Sequence, residues 1–426
     1  MPQLILTRGV LTRARLPLPF ARLEDDLARA MVLLAPLNGS LATWSADPAA
    51  SLVATGPARY QTGPWAGSQG ILVEEARTNH NKYPSFEPDL TGWSVSDNGG
   101  AAGGTAASSA VQTKSGAASC LITVAAQNKR VLRDLALTLT AGTTYTISAW
   151  AYIQSWTSGT PGFRTAGSGF VAAANANPNT ALVGIWQRVS AQVTTVNDLA
   201  AKNCYVKCEP DYTGNNCTSV IYWDALQFEA GTYTTTYMDG SLGTGYTWQA
   251  GTPPNTKSDR AATTLSLRST TVSPQRGAAL LYVCPESTTG RDVAPYLLAL
   301  ESSNGNPSFR LLHNASGTVT LRVFNGASLD SPAGDTPAAN TWTPVYADWQ
   351  PGLQRWQVGA AGALRTATLP PIDFTGPTYV YAASGNTGAL QPNDAIAGLM
   401  LFSRPLTADE RTYLMALARQ PNWQEV

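Results

Sequence analysis

Thr143-Thr-Tyr-Thr-Ile-Ser-Ala-Trp-Ala-Tyr-Ile-Gln154 places Tyr145, Ile147, Ala149, Ala151 and Ile153 at every second position, with Thr146, Ser148, Trp150, Tyr152 and Gln154 between them. Successive side chains of an extended strand point to opposite faces, so this period of two predicts a strand with one apolar and one mixed face. The apolar face belongs in a core. The mixed face is the candidate ligand surface: Trp150 and Tyr152 point the same way, Ser148 and Gln154 supply hydrogen-bonding groups, and Trp156 beyond the strand would extend the platform. Such rings can stack on the apolar face of a sugar while the polar neighbours take its hydroxyls. They can equally fill a core between sheet and loops, and both readings stand at this point. Trp186 and Trp223, in strand-like runs of their own, read as core.

The whole composition agrees with short strands and tight turns. Only 13% of the 426 residues are charged, against about 25% in an average soluble protein, while Gly, Trp and Tyr are plentiful. A chain of this length exceeds one ordinary core and should hold two or three domains. Lys+Arg and Asp+Glu are both 28, so no net field draws in nucleic acid or an anionic membrane. The N-terminal residues lack the basic and apolar regions of a secretory signal, and no run approaches the ~18 apolar residues of a membrane span. Neither export by that route nor membrane insertion is expected.

Five cysteines, at 120, 204, 208, 217 and 284, form no pair of CxxC motifs. Buried free thiols are the leading expectation, with a Cys208–Cys217 disulfide or a zinc site as alternatives. Residues 19–35 place Leu23, Leu27, Ala30, Met31 and Leu34 at helical spacing, ended by Pro36, and predict a short amphipathic helix. From 36 to 70 the chain is rich in Gly, Pro and Ser and reads as loop with a few short strands. Residues 1–79 are therefore expected to form a helical and irregular anchoring arm, with residues 1–70 ordered by contact with a partner or another copy.

Gly70-Ile-Leu-Val-Glu-Glu-Ala-Arg-Thr-Asn79, followed by Tyr83-Pro-Ser-Phe-Glu87 and Thr91-Gly-Trp93, resembles the lead into a carbohydrate-binding-module-like jelly roll found in many bacteriophage tail and virion proteins. Lys82-Tyr83-Pro84 stands where that motif usually has Asn-Pro. The resemblance continues through Val111–Val124, Tyr145–Trp150, Trp186–Ser190 and Ile221–Gly231, each where the family has a strand. Tyr237-Met-Asp-Gly240 through Ser258-Asp-Arg260 is similar to a connector of phage minor tail proteins, and its prolines and glycines suit a linker. Beyond it, Gly277–Val283, Ser308–His313, Thr318–Phe324 and Thr378–Tyr381 are strand-like. Trp342–Asp348, Trp356–Gly359 and Ile396–Glu410 resemble the laminin-G/concanavalin-A-like lectin fold, and Thr407-Ala-Asp-Glu410 reads as a capping box opening a helix over 408–419.

The resemblance implies an all-β chain of two antiparallel β-sandwiches, a jelly roll and a concanavalin-A-like one. The expected division is 1–79 arm, 80–238 jelly roll, 239–260 connector and 261–426 second sandwich. It also implies a virion structural protein, exposed on a tail, fibre or capsid and assembled in the host cytoplasm. Its partners would be other virion proteins through the N-terminal region, further copies of itself and host-surface glycans. A soluble bacterial lectin, or decoration with no ligand, are the alternatives. Relatives of both modules sometimes carry calcium, but no DxDxDG-type cluster is present here, so no cofactor is expected and calcium alone is left open. No enzyme is expected. The two histidines, His80 and His313, are far from any GxSxG, and no Walker loop or HExxH occurs. Glu74 and Glu75 are adjacent on a strand, so they face opposite ways and cannot flank one glycosidic bond.

Overall fold

A computed structural model describes the chain from residue 33 to 417, except 38–39, 45–50, 56–58, 63–68, 88, 98–103, 126–128, 135–138, 201, 214–216, 244, 270–274, 286–294, 302–307, 325–326, 333, 370–377 and 383–393. Two compact units emerge. One is continuous, Ala76–Ala261; the other is made of two pieces, residues 1–75 and 262–426, so the first unit is inserted into the second in sequence. Both are all-β and antiparallel, as expected, with one short helix among the described residues.

The inserted unit is a sandwich of two five-stranded sheets. One runs Trp186–Thr194, Thr144–Ser158, Thr218–Ala230, Ser119–Ala125, Gly104–Ser109; the other runs Asn175–Ala176, Gly162–Ala166, Tyr205–Glu209, Lys129–Asp134, Ser94–Asp97. The alternation of the long strand is realised. Tyr145, Ile147, Ala149, Ala151 and Ile153 are at most 2% exposed and meet Phe163, Val206, Cys208, Ile221 and Trp223 in the core. Each isoleucine so buried contributes ~1.5–3 kcal/mol. All five cysteines are buried, and none is in a disulfide.

Residues 239–260, expected as a linker, belong to this unit. Tyr246–Trp248 pairs with Ser258–Arg260, which pairs with Arg77–Asn79 in a small third sheet. The segment is seated partly by polar contacts, Ser258 Oγ donating to the Met238 carbonyl at 3.1 Å and Arg260 Nη1 to the Thr236 hydroxyl at 2.9 Å, and the strands it meets are tied by a buried polar cluster. The Asn79 side chain, fully buried, donates to the carbonyls of Leu226 and Met238 at 3.0 and 2.9 Å and accepts from the amides of Asn81 and Phe228 at 3.0 and 2.9 Å. Its amide thus has both donors and its oxygen both lone pairs engaged. Beside it the buried Glu229 carboxylate accepts from the Thr235 amide and hydroxyl, both at 2.8 Å, and from Gln227. Burial raises the Glu229 pKa, against the pull of those donors.

The two-piece unit is the second sandwich. Its seven-stranded sheet runs Ser328–Asp330, Val319–Phe324, Ser308–His313, Tyr296–Glu301, Thr378–Ala382, Thr264–Ser269, Ser51–Thr55. The facing sheet has Ser40–Trp44, Leu33–Leu37, Asp394–Phe402, Gly277–Pro285, Thr343–Gln350, Leu353–Val358 and Arg365–Ala367 in that order, with Gln69–Val73 also on Asp394–Phe402 and Arg59–Thr62 on Gln69–Val73. Strands from 33–73 are therefore built into both sheets, where an arm held by a partner had been expected. The physical reason is the length of Asp394–Phe402, whose nine residues offer one flank to Gln69–Val73 at the start and to Leu33–Leu37 further on. Of the helix expected over 19–35, residues 19–32 lie outside the described residues and Leu33–Ala35 are strand.

At the C-terminal end the capping box forms. The Thr407 hydroxyl accepts from the Glu410 amide at 3.3 Å, the Glu410 carboxylate accepts from the Thr407 amide at 2.8 Å, and the helix Ala408–Leu417 follows. Hydrogen bonds from Arg404 hold the Glu410 carboxyl down to about 2. The rest of the expected helix, 418–419, lies outside the described residues.

This nesting gives a test. Residues 76–261 expressed alone should melt cooperatively and keep a native near-ultraviolet circular dichroism spectrum, whereas 262–426 alone, lacking five strands of its sheets, should not. A cooperative melt of the isolated 262–426 piece would contradict the two-piece assignment.

Candidate functional site

On the outward face of the long strand, Trp150 lies between Arg188 and Asp224 of the flanking strands, and Tyr152 between Trp186 and Tyr222. Trp150, Tyr152 and Trp186 are half-buried and Tyr222 is buried. The Tyr152 ring centroid is 5.5 Å from Trp186 and 5.9 Å from Tyr222, both tilted or edge-on. Lys114 Nζ sits 3.9 Å from the Trp150 ring centroid, a cation–π contact that covers one face of the indole. The register slips between Ile153 and Ser155 and again after Trp156. Gln154 is exposed, and Trp156, 36% exposed, donates its indole N–H to the Gly159 carbonyl at 3.1 Å. The structure thus brings Trp150 and Tyr152 to one face. It fills the space around them with Lys114, Trp186 and Tyr222, and it does not continue that row to Trp156. Of the two tryptophans expected as core, Trp223 is fully buried between the sheets, whereas Trp186 is half-buried on the outward face against Tyr152.

Beneath Trp150 the Asp224 carboxylate is fully buried and accepts from the amides of Lys114, Ser115 and Ala225 at 2.6, 2.9 and 2.6 Å. Ala225 has φ of 50°, the left-handed region, which kinks the strand there. Burial pushes the Asp224 carboxyl up to about 6, the three amides pull it back, and the nearby Glu87 adds to the rise. Glu87 in turn accepts from the Ala117 and Ala118 amides. Both carboxylates are hydrogen-bonded by backbone N–H donors. Among the described residues no group of three or more acidic, His or Cys side chains converges as metal ligands.

The outer face of the other five-stranded sheet has different chemistry. Along Tyr205-Val-Lys-Cys-Glu209, Val206 and Cys208 enter the core while Tyr205, Lys207 and Glu209 face outward; Gly162 and Arg164 of the next strand pair with Glu209 and Lys207. Glu209 is buried and lies 3.3 Å from Arg164 Nη1 and 3.8 Å from Lys207 Nζ. A carboxylate taken from water in this way is offset by the cations it touches. The Arg164 guanidinium carbon lies 5.0 Å from the Tyr212 ring centroid, whose hydroxyl accepts from Asn177 Nδ2 at 2.9 Å. Gly162 makes room for this: a Cβ there would stand 3.0 Å from both the Tyr212 ring and Asn177 Oδ1. Asp211 Oδ1 fixes the adjoining turn, accepting from the Thr160 and Thr213 amides at 3.0 and 3.1 Å. The result is a partly open sheet face with two half-buried tyrosines, an oriented guanidinium, an ammonium and a carboxylate. It can offer ring faces and both donors and acceptors to a polyhydroxylated ligand.

Sequence reasoning did not single out these residues. The signal is the alternation of Tyr205, Lys207 and Glu209 against Val206 and Cys208, which spans only five residues. Neither histidine lies on either face: His313 is fully buried between Asp394 and the Gly317 carbonyl at 3.1 and 2.9 Å, and His80 packs on Tyr145 and Phe228.

Residues 78–213 match the family model described as "Carbohydrate binding domain". No curated protein matches the chain. Among solved structures the chain is similar to domain 4 of AbnA, a GH43 extracellular arabinanase from Geobacillus stearothermophilus, in complex with arabinotriose, at 17% identity over 44% of this chain and 88% of that one, TM-score 0.31. The CBM40 of the Ruminococcus gnavus IT-sialidase bound to α2,3-sialyllactose is 16% identical over 33% and 82%, TM-score 0.27. The CBM22-1–CBM22-2 tandem domain of Paenibacillus barcinonensis Xyn10C is 11% identical over 78% and 99%, TM-score 0.29. Likenesses of this size carry no argument about ligand.

Asp224 and His80 of the inserted unit give opposite pH dependences. Asp224, raised from 3.8 to about 6, keeps a proton in the folded chain that the unfolded chain has lost, so its contribution falls as pH rises through that window. His80, lowered from 6.5 to about 4 by burial first and Lys257 second, with Asp259 opposing, contributes stability that grows as pH rises from about 4 to about 6.5. Each is on the order of 2–4 kcal/mol. Relative to wild type, Asp224→Asn should therefore gain stability with rising pH between about 4 and 6, and His80→Gln should lose it. Denaturant melts across that range check both signs; two profiles parallel to wild type would refute the assignment.

Proposed function

We propose that the inserted unit is a glycan-binding module and that its ligand lies on the sheet face carrying Arg164, Tyr205, Lys207, Glu209 and Tyr212. The observation that carries this reading is the Arg164–Glu209–Lys207 ion group flanked by Tyr205 and Tyr212 on a partly open sheet. All five residues fall within the stretch that matches the carbohydrate binding domain model. Sugars present apolar C–H faces to rings and hydroxyls to planar polar groups, and this face supplies both. The face carrying Trp150 and Tyr152 is the second choice, because Lys114 already occupies the indole. The role is binding without bond cleavage.

The setting we propose is the surface of a phage particle, where the chain would be a structural protein contacting host glycans. The stretches 70–79 and 237–260, with their resemblance to virion proteins, support it. A soluble lectin would use the same face.

On glycan arrays, Tyr212→Ala and Tyr205→Ala should each weaken the wild-type signal at least about ten-fold with little change in melting, whereas Tyr152→Ala and Trp156→Ala should leave affinity within about two-fold. The reverse pattern would move the site to the other sheet, and a wild type silent on the array would sink the glycan reading. Mass spectrometry of purified virions should find the chain as a stoichiometric component; its absence would favour the soluble lectin.

A further inference from the structure

A strand at the margin of a sheet presents a row of backbone N–H and C=O groups on its outer flank, and proteins that stay single guard such rows with Lys, Pro, bulges or a covering loop. Trp186–Thr194 is the end strand of its five-stranded sheet, paired on one flank only with Thr144–Ser158. Its nine residues hold no Lys, Pro, Asp or Glu, and the register with its neighbour runs through without a bulge. The Val171 amide donates to the Thr194 carbonyl at 2.9 Å, which shows that carbonyl to point away from the sheet. In an antiparallel strand the N–H and C=O of one residue leave on the same side and alternate residues share that side, so Ser190 and Gln192 present theirs to the same outer flank. Both residues are exposed, and among the described residues neither takes a backbone partner there.

The two ends of this flank are apolar. Of the nine large hydrophobic side chains that stand exposed among the described residues, Val171 lies beside the last residue of the strand, and Leu182, Val183 and Ile185 lead directly into the first. Exposed apolar groups gathered in one place mark a contact surface. The turn that carries the three is built rigidly. Gln187 Nε2 donates to the carbonyls of Asn179 and Leu182 at 3.0 and 2.9 Å, its Oε1 accepts from the Asn179 amide at 2.8 Å, and the Gly184 amide donates to the Ile153 carbonyl at 2.8 Å. A surface already ordered loses little entropy when it is covered.

We propose that the outer flank of Trp186–Thr194 is the interface between two copies of this chain, joined by antiparallel pairing of that strand with itself. The surface is self-complementary, as an isologous contact requires. A two-fold axis at Ala191 sets Ser190 of one copy opposite Gln192 of the other, each facing pair exchanging both N–H···O bonds, and no like charges meet there. The strands run oppositely, so Val171 of each copy comes alongside the Leu182–Trp186 turn of its mate. Such an axis stands perpendicular to the sheet, so the Arg164 faces of both copies would look the same way and meet one glycan-bearing surface together. The pairing itself does not rest on the glycan reading.

Sedimentation of the full chain between about 1 and about 100 µM tests this, and the mass should pass from one chain to two. Ile185→Glu, and separately Ser190→Lys with Gln192→Lys, alter exposed side chains only; each should weaken association at least about ten-fold with melting unchanged. A chain carrying both Ser190→Cys and Gln192→Cys should oxidise to a covalent dimer, because facing residues of a strand pair lie within disulfide reach and the native cysteines are buried. Val111→Cys, exposed elsewhere on the unit, should stay a single chain under the same oxidant. A wild type that remains one chain at the highest concentration would overturn the inference. So would an assembly that neither Ile185→Glu nor the lysine pair weakens, or a double-cysteine chain that cross-links no faster than Val111→Cys.

Discussion

The carboxamide of Asn79 ties together three parts of the inserted unit that are far apart in sequence. It joins the first strand to the carbonyl of Leu226 in the last long strand and to Met238 in the segment that follows. A polar group sealed from water must find all its partners inside, so these backbone groups can close only in one arrangement. The long strand Thr218–Ala230 is held in register from its outer side by this clasp, and Glu229, Gln227 and Thr235 extend it. Both sheet faces considered for a ligand depend on that arrangement, since Thr218–Ala230 pairs with the strand bearing Trp150 and contributes Ile221 and Trp223 to the core under Val206 and Cys208. The clasp also gives a physical meaning to the last residue of the Gly70–Asn79 motif. Aspartate there would bring a charge and no donor to two buried carbonyls.

The two faces of this sandwich show how the same side-chain types are put to different uses. Around Trp150 and Tyr152 the rings pack against other rings and one ammonium, and the carboxylate beneath is occupied by backbone amides. Around Arg164 the carboxylate is taken by two cations and the ring supports a guanidinium whose buried Nε–H has no acceptor. Ring count favoured the first face in the sequence. Hydrogen-bond accounting favours the second.

Much of the fold was legible because it rests on local periodicity. The Thr143–Gln154 alternation places five residues in the core without reference to anything distant, and the Thr407–Glu410 box closes within four residues. What was not legible lacked a local signature. Strands such as Arg59–Thr62 are four or five residues long, sit among glycines and prolines, and pair directly or through a neighbour with Asp394–Phe402 more than three hundred positions away. Residues 239–260 have a linker's composition because their burial is partly polar, through Ser258 and Arg260, and hydropathy does not register that. On the Arg164 face, five-residue strands gave too few periods to outweigh the aromatic run of the long one.

The nesting of one unit within the other also fixes an order of events during synthesis. Leu33–Leu37 leaves the ribosome early, yet its neighbour Asp394–Phe402 is made only some 360 residues later, on the order of tens of seconds at ordinary elongation rates. In that interval residues 76–261 emerge in full and can fold as a unit, while the strands before them wait with their backbone groups unpaired. The glycine- and proline-rich character of residues 36–70 suits that wait, since short strands interrupted by such residues are poor templates for pairing between chains. The same composition that hides these strands from a reader of the sequence shields the nascent chain from its neighbours.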